Sequence, residues 1–181
     1  LGNSGSGKST LARTLAELWK SEVLDLDTVA WESGKIAVPR ELSLAYGDID
    51  TFIVSSATNA WIVEGCYGHL VQHTLQHHPL LIFLDPGVDQ CLSHCRSRPF
   101  EPHKYRTVEE QDSMLPALLS WVQDYYTRSG EMSHQDHLRR FELYAGPKVR
   151  LASTTEWLRN CASGYFGNGA EPQVGTADRR G

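Results

Sequence analysis

The sequence predicts a single α/β domain, a parallel β-sheet covered by helices on both faces, and three observations predict it. Gly2-Asn3-Ser4-Gly5-Ser6-Gly7-Lys8-Ser9-Thr10 has the G-x-x-x-x-G-K-[ST] spacing of a phosphate-binding loop and runs directly into a helical pattern. Downstream, short apolar runs alternate with segments of helical periodicity, as in a chain of βα units. Several apolar runs close on acids, Asp25, Asp27, Glu64 and Asp85, at the strand ends where such sheets collect their ligands.

Each fixed residue of the loop has a physical task. The glycines let the backbone turn tightly so that its N–H groups converge on phosphate oxygens. Lys8 is placed to reach the β- and γ-phosphates and the Ser9 hydroxyl to hold Mg²⁺, so Asn3, Ser4, Gly5, Ser6, Gly7, Lys8, Ser9 and Thr10 are the candidate nucleotide-binding residues. From Lys8 to Lys20, Leu11, Leu15, Leu18 and Trp19 share one helical face, which puts the positive end of a helix at the phosphates. A loop of this kind follows a buried strand, and only Leu1 precedes Gly2; the central strand and an initiator methionine are expected to lie outside this chain.

The remaining elements follow in order. Glu22 to Asp27 reads as a short strand with carboxylates near its C-terminal end, and Pro39 as the start of a helix through Leu42, Ala45, Ile49, Phe52 and Ile53. Ala60 to Glu64 is an apolar strand ending on an acid, followed by a helix from about Gly68 to His77. Pro79 to Asp85 is continuously apolar before its closing acid, as a strand buried on both faces should be. A helix is expected over Val88 to Ser97, then an irregular excursion from Arg98 to Glu110 with two prolines. Helices are predicted again over Gln111 to Arg128 and Ser133 to Tyr144, broken at Ser129-Gly130. Lys148 to Leu151 is the last strand, with a short helix around Glu156 to Arg159. Gly164 to Gly181 lacks periodicity and reads as a disordered tail behind one domain over 1–160.

Composition narrows the classes. A chain of 181 residues with 40% hydrophobic and 22% charged residues has the balance of one soluble domain with a sizeable core. A formal net charge of −5 gives no electrostatic case for a nucleic-acid partner. No apolar run approaches membrane-spanning length, and no secretory signal is visible. Cys66, Cys91, Cys95 and Cys161 follow no disulfide framework, so a reducing cytoplasm is expected. Cys91, His94 and Cys95 lie within one turn but lack the second cluster that structural zinc sites use. Trp121, Tyr125 and Tyr126 at helical spacing read as core.

Taken together, GNSGSGKST, LDLDTVAW, WIVEGCYG, LIFLDPG followed by CRSRP, and GPKVRL resemble the small P-loop kinases, the group of adenylate, shikimate and gluconate kinases. The likeness runs from about Gly2 to Arg159 and is greatest to short bacterial shikimate-kinase-like or topology-modulation-like ATPases. It implies a P-loop NTPase fold of about five parallel strands in order 2-3-1-4-5, with the first, central strand missing from this chain, and with ATP and Mg²⁺ as cofactors. It also implies roles. Asp25 would assist the Mg²⁺ held by Ser9, with Glu64 contacting the metal through water, and Asp27 would orient the acceptor hydroxyl. Gly65, Cys66, Tyr67 and Gly68 would floor the acceptor pocket, with Gly65 and Tyr67 as substrate contacts. Arg96 and Arg98 would begin a lid (98–145 with its helical excursion) and cover the γ-phosphate, with Lys104 and Arg106 as weaker candidates.

The chain departs from shikimate kinases in having Arg40 as its only arginine between Asp27 and Tyr67, so shikimate is a poor specific acceptor. No motif reads a nucleobase either. The expectation is a small-molecule kinase with Lys8, Asp27, Arg96 and Arg98 as the catalytic set, acting on a hydroxyl or phosphate acceptor. The alternative is an ATP-binding or ATPase regulatory module with little kinase activity.

Overall fold

In the computed structural model the described residues are 1–32, 38–56, 60–102, 105–153, 156–157 and 159–160. Lys104, Cys161 and the expected tail over 164–181 lie outside them.

Helix α1 (Lys8–Trp19) starts at Gly7, which adopts φ 94° and offers no capping side chain. The first-turn N–H groups are thus left to the space beyond the loop. Leu11, Ala12 and Leu15 are buried, whereas Leu18, expected on the same face, is 59% exposed because it falls in the last turn. Lys20 ends the helix in the left-handed region, its N–H returning to the Ala16 carbonyl.

Strand β1 (Glu22–Asp25) pairs in parallel with β2 (Trp61–Glu64), and the register sets Asp25 directly beside Glu64. Between them come α2 (Asp27–Ala30) and α3 (Leu42–Ser55). The expected strand to Asp27 stops at Asp25 because the Asp25 carboxylate accepts the Asp27 N–H at 2.9 Å and turns the chain into α2. The helix expected from Pro39 begins at Leu42 instead. Pro39 forms an antiparallel bridge with Trp31, and the Arg40 N–H bonds the Ala30 carbonyl, so that backbone is already committed.

Helix α4 (Gly68–Thr74) tightens into a 3₁₀ turn over Leu75–His77. Strand β3 (Leu81–Leu84) pairs in parallel with β4 (Lys148–Leu151). Helix α5 (Val88–Arg96) follows β3. Helix α6 (Val108–Gln123) begins three residues earlier than its apolar pattern, because the Thr107 side chain accepts the Glu110 N–H as an N-cap. It passes through a 3₁₀ turn at Asp124–Tyr126 before α7 (His134–Leu143), which Ser133 caps in the same way.

Among the described residues the strands form two parallel pairs, β1 with β2 and β3 with β4, rather than one continuous sheet. Leu1 and Gly2 attach to β3: the Leu84 N–H donates to the Leu1 carbonyl at 2.8 Å, and Gly2 bridges Leu84 in parallel. A cavity of about 430 Å³ lies between β2 and β3, lined by both strands and by Leu11 and Leu15 of α1. Helices cover both faces. Ile62, Ile82, Leu84 and Leu151 pack with Leu11 and Leu15, while Val63, Leu81 and Leu24 pack with Leu70, Val71, Ile49 and Ile53 on the opposite side. That division follows the period-two alternation of the strands. Among the described residues no helix is long and apolar enough to cross a membrane.

Candidate active site

The C-terminal ends of β1 and β2, the loop before α1 and the segment after α5 surround one cleft of about 860 Å³. Lys8, Ser9, Asp27, Glu64, Tyr67 and Arg98 all line it. That volume lies in the range of small-ligand pockets.

The loop is held from below. Gly5, at φ 76°, sits so close to α5 that a Cβ there would stand 2.3 Å from the Cys91 carbonyl oxygen and 2.8 Å from the Cys95 sulfur. The His94 ring contacts the Gly5 carbonyl at 2.8 Å through Nδ1, which donates there because a carbonyl only accepts. Asn3 is buried; its amide donates to the Val122 carbonyl at 3.1 Å, and its Oδ1 accepts the Ser4 N–H at 2.9 Å. On its other side the loop is open: a Cβ on Gly7 would meet nothing within 4 Å. Lys8 folds back to the Asn3 carbonyl at 2.9 Å, and Thr10 lies exposed on the first turn. The Ser6 hydroxyl is buried without a hydrogen-bond partner.

An oxygen-rich corner lies beside Lys8. The Ser9 hydroxyl donates to Oε1 of buried Glu64 at 2.5 Å, and Asp25 stands next to Glu64 across the strand pair. Hydroxyl and carboxylate oxygens are the donor set for a hard divalent cation such as Mg²⁺. The open space at Gly7 and the uncapped helix start fit a bound phosphate chain equally well.

Opposite the loop, the Tyr67 hydroxyl donates to Asp27 Oδ1 at 2.7 Å and accepts from Trp31 Nε1 at 2.7 Å. Burial, and then the Asp27 charge, push the Tyr67 phenol well above its ordinary range, so it remains a donor. Gly65 packs against Leu26, where a Cβ would approach the Leu26 side chain to 2.7 Å. Burial likewise raises the Cys66 thiol, which leaves it a poor nucleophile. Behind this wall His137 is fully buried, and burial lowers its ring to about 3. The neutral ring donates from Nε2 to the Cys66 carbonyl at 2.8 Å and accepts at Nδ1 from Tyr125 at 2.7 Å.

Of the two expected lid arginines, Arg98 lines the cleft, tied to Glu101 at 3.1 Å, whereas Arg96 is exposed at the end of α5 and is not among the lining residues. Arg106 is exposed as well. Asp85 braces the structure: Tyr126, Arg150 and His134 all donate to it, and although burial raises its carboxyl, those bonds outweigh burial and hold it below the usual range.

Two residues go beyond the sequence reading. His94 fixes the loop, a role no spacing announces. Trp121, expected in the core with Tyr125, is 41% exposed and lines the cleft, with the Arg128 guanidinium 3.6 Å above its ring. Tyr125 is in the core as expected, while Tyr126 is 42% exposed.

No family model matches this chain, and no curated protein matches it. Solved structures do. An unliganded sugar kinase from Janibacter sp. HTCC2649 superposes with a TM-score of 0.50 at 16% identity, over 91% of this chain and 90% of that one. A gluconokinase from Sinorhizobium meliloti 1021 aligns with a TM-score of 0.44 at 17% identity, over 93% of this chain and 94% of that one. At such identities the likeness is one of architecture: the chain has a small P-loop kinase-like fold.

Proposed function

We propose that this protein is an ATP-dependent phosphotransferase acting on a small-molecule hydroxyl or phosphate acceptor. The observation that carries the reading is that one cleft is lined by Lys8 and Ser9 on one side and by Asp27 and Tyr67 on the other, with Arg98 at its rim. In this reading the loop from Asn3 to Thr10 wraps the triphosphate with its N–H groups. Ser9, Glu64 and Asp25 are the residues that would hold Mg²⁺, which supplies charge neutralisation on the phosphates when bound. Asp27, oriented by Tyr67, accepts the proton of the acceptor hydroxyl. The acceptor oxygen forms its bond to the γ-phosphorus as the bond to the β-bridging oxygen breaks, and ADP leaves. Lys8 and Arg98 stabilise charge on the transferring group. Of the expected lid over 98–145, buried Val122, Tyr125 and His137 anchor α6 and α7 in the body of the domain, so only the segment that follows α5 would be left to cover the phosphates.

The sheet order belongs to the same reading. With β1 beside β2 and β3 beside β4, the order 2-3-1-4-5 requires one further strand between β2 and β3. The cavity at that position and the bonds from Leu1 and Gly2 to β3 support it. The sugar kinase of similar fold makes sugars the first acceptors to try.

The test is ADP release from Mg-ATP across a panel of hydroxyl and nucleotide acceptors, with Lys8→Ala as control. One acceptor raising release well above the control supports the kinase. ATP binding with no acceptor-dependent turnover would instead favour a regulatory ATP-binding module.

A further inference from the structure

Between α3 and α4, and outside the cleft, a second group of chemistry-bearing side chains converges. Asp50 projects from α3, and His73 and His77 from α4 and the 3₁₀ turn that continues it. The two histidines are four positions apart, so they share a helical face. His73 Nε2 lies 2.8 Å and His77 Nε2 3.0 Å from the same Asp50 oxygen, and the three atoms lie within 4.8 Å of one another. No other group of three or more His, Cys, Asp or Glu side chains among the described residues converges this closely. Tyr46, one turn before Asp50, stacks on the His73 ring at 4.2 Å and 9°, which fixes its orientation. The side chains are 16% (His73), 32% (His77) and 45% (Asp50) exposed, so solvent reaches the group.

The structure assigns a divalent transition-metal site, of the zinc type, to Asp50, His73 and His77. Two imidazole nitrogens and one carboxylate oxygen form a donor set that suits zinc and its neighbours far better than Mg²⁺ or Ca²⁺. With metal–ligand distances of about 2.0–2.1 Å, tetrahedral ligand atoms stand roughly 3.3 Å apart, so the two His–Asp separations need to open only by a few tenths of an ångström. Water completes the fourth position. Binding shifts each ring proton from Nε2 to Nδ1, or releases it from a doubly protonated ring, so affinity falls as the solution is acidified. Burial raises the Asp50 carboxyl, and the two histidine contacts together outweigh it and keep it below the usual range. The metal would clamp α3 to α4, and α4 starts immediately after Tyr67.

The test uses the full chain freed of metal by chelator and titrated with zinc chloride by calorimetry, with cobalt(II) as a spectroscopic substitute. One equivalent of zinc is expected to bind, to raise the melting temperature, and to give cobalt bands without thiolate charge transfer. His77→Gln, at a solvent-facing position, and Asp50→Asn are each expected to weaken zinc binding at least tenfold, while Ser9→Ala, at the loop, leaves it unchanged. Far-UV circular dichroism of the metal-free variants establishes that they fold. Absence of saturable zinc binding by the wild-type chain overturns the assignment. So does binding that survives both His77→Gln and Asp50→Asn, or that is lost in Ser9→Ala.

Discussion

The hydroxyl of Ser9 donates to Oε1 of Glu64 across 55 residues of sequence, at 2.5 Å. This single bond joins the start of α1 to the end of β2 and gathers hard oxygen ligands next to Lys8. Because Asp25 and Glu64 are register partners, a cation held by Ser9 and Glu64 would lie beside a second carboxylate.

Ser9→Ala is therefore expected to raise the Mg²⁺ concentration for half-maximal ATP turnover by about ten- to a hundredfold, since hydrogen bonds to charged groups contribute about 1.5–3 kcal/mol. Glu64→Gln, which keeps an acceptor for Ser9 but removes the charge, should shift the same curve in the same direction. A Mg²⁺ titration of ADP release reads both. Unchanged half-points in both variants would show that this corner holds no cation.

Gly5 and Gly7 make a controlled pair. Both have positive φ, 76° and 94°, but only Gly5 is pressed against a neighbour. Gly5→Ala drives a methyl into the Cys91 carbonyl, which is backbone and cannot yield, and should cost about 2–4 kcal/mol in denaturant unfolding. Gly7→Ala carries the backbone strain alone, about 1–2 kcal/mol. Its methyl enters the cleft, so it should lose nucleotide affinity out of proportion to its stability loss. Equal stability losses in the two variants would contradict the packing of the loop on α5.

Much of this arrangement is legible in sequence for a simple reason: it is local. The loop spacing, the apolar run at Leu81–Leu84 and the acids closing their strands are written in consecutive residues. What escapes is what register and helix crossing create. Nothing in the spacing of Asp27, Trp31 and Tyr67 predicts that one phenol joins the other two side chains, because the meeting depends on β1 lying beside β2. His94 reads only as a neighbour of Cys91 and Cys95 on one helical turn until Gly5 is seen against that helix. Asp50, His73 and His77 look scattered because the contact between α3 and α4 is tertiary. Helix starts slipped where a side-chain cap such as Thr107, or a strand-like bridge such as Trp31 with Pro39, outweighed apolar periodicity.

Tyr67→Phe separates positioning from packing. The ring remains, so the wall of the cleft keeps its shape, but Trp31 Nε1 loses an acceptor and Asp27 a donor. Stability should fall by about 1–2 kcal/mol. Turnover should fall through the acceptor, with its KM raised or kcat lowered, while the KM for ATP stays within about twofold. Acceptor kinetics identical to wild type would remove Tyr67 and Asp27 from the proposed acceptor site.

His137 sets the response to acid. Its ring is fully buried and must stay neutral to accept the Tyr125 hydroxyl at Nδ1 while donating to the Cys66 carbonyl. Burial holds it near 3, against an ordinary histidine value of 6.5, so its folded-state value is the lower one. As the pH falls below 6.5, the unfolded chain takes up a proton that the folded chain refuses. The stability from His137 is thus complete above about pH 6.5 and is lost on acidification, at up to about 1.4 kcal/mol per pH unit, until the folded ring itself titrates. His69, also lowered by burial, adds to the slope in the same direction, whereas Asp50, Asp85 and Asp136 lie below the ordinary carboxylate value of 3.8 and act only at lower pH. His137→Gln keeps an N–H donor for Cys66 and removes the titrating ring. Urea unfolding between pH 7.5 and 5 should show a steep loss of stability in the wild type and a shallower one in His137→Gln. Parallel slopes would mean that His137 is protonated in the folded chain, and the hydrogen bond from Tyr125 would then have to be reversed.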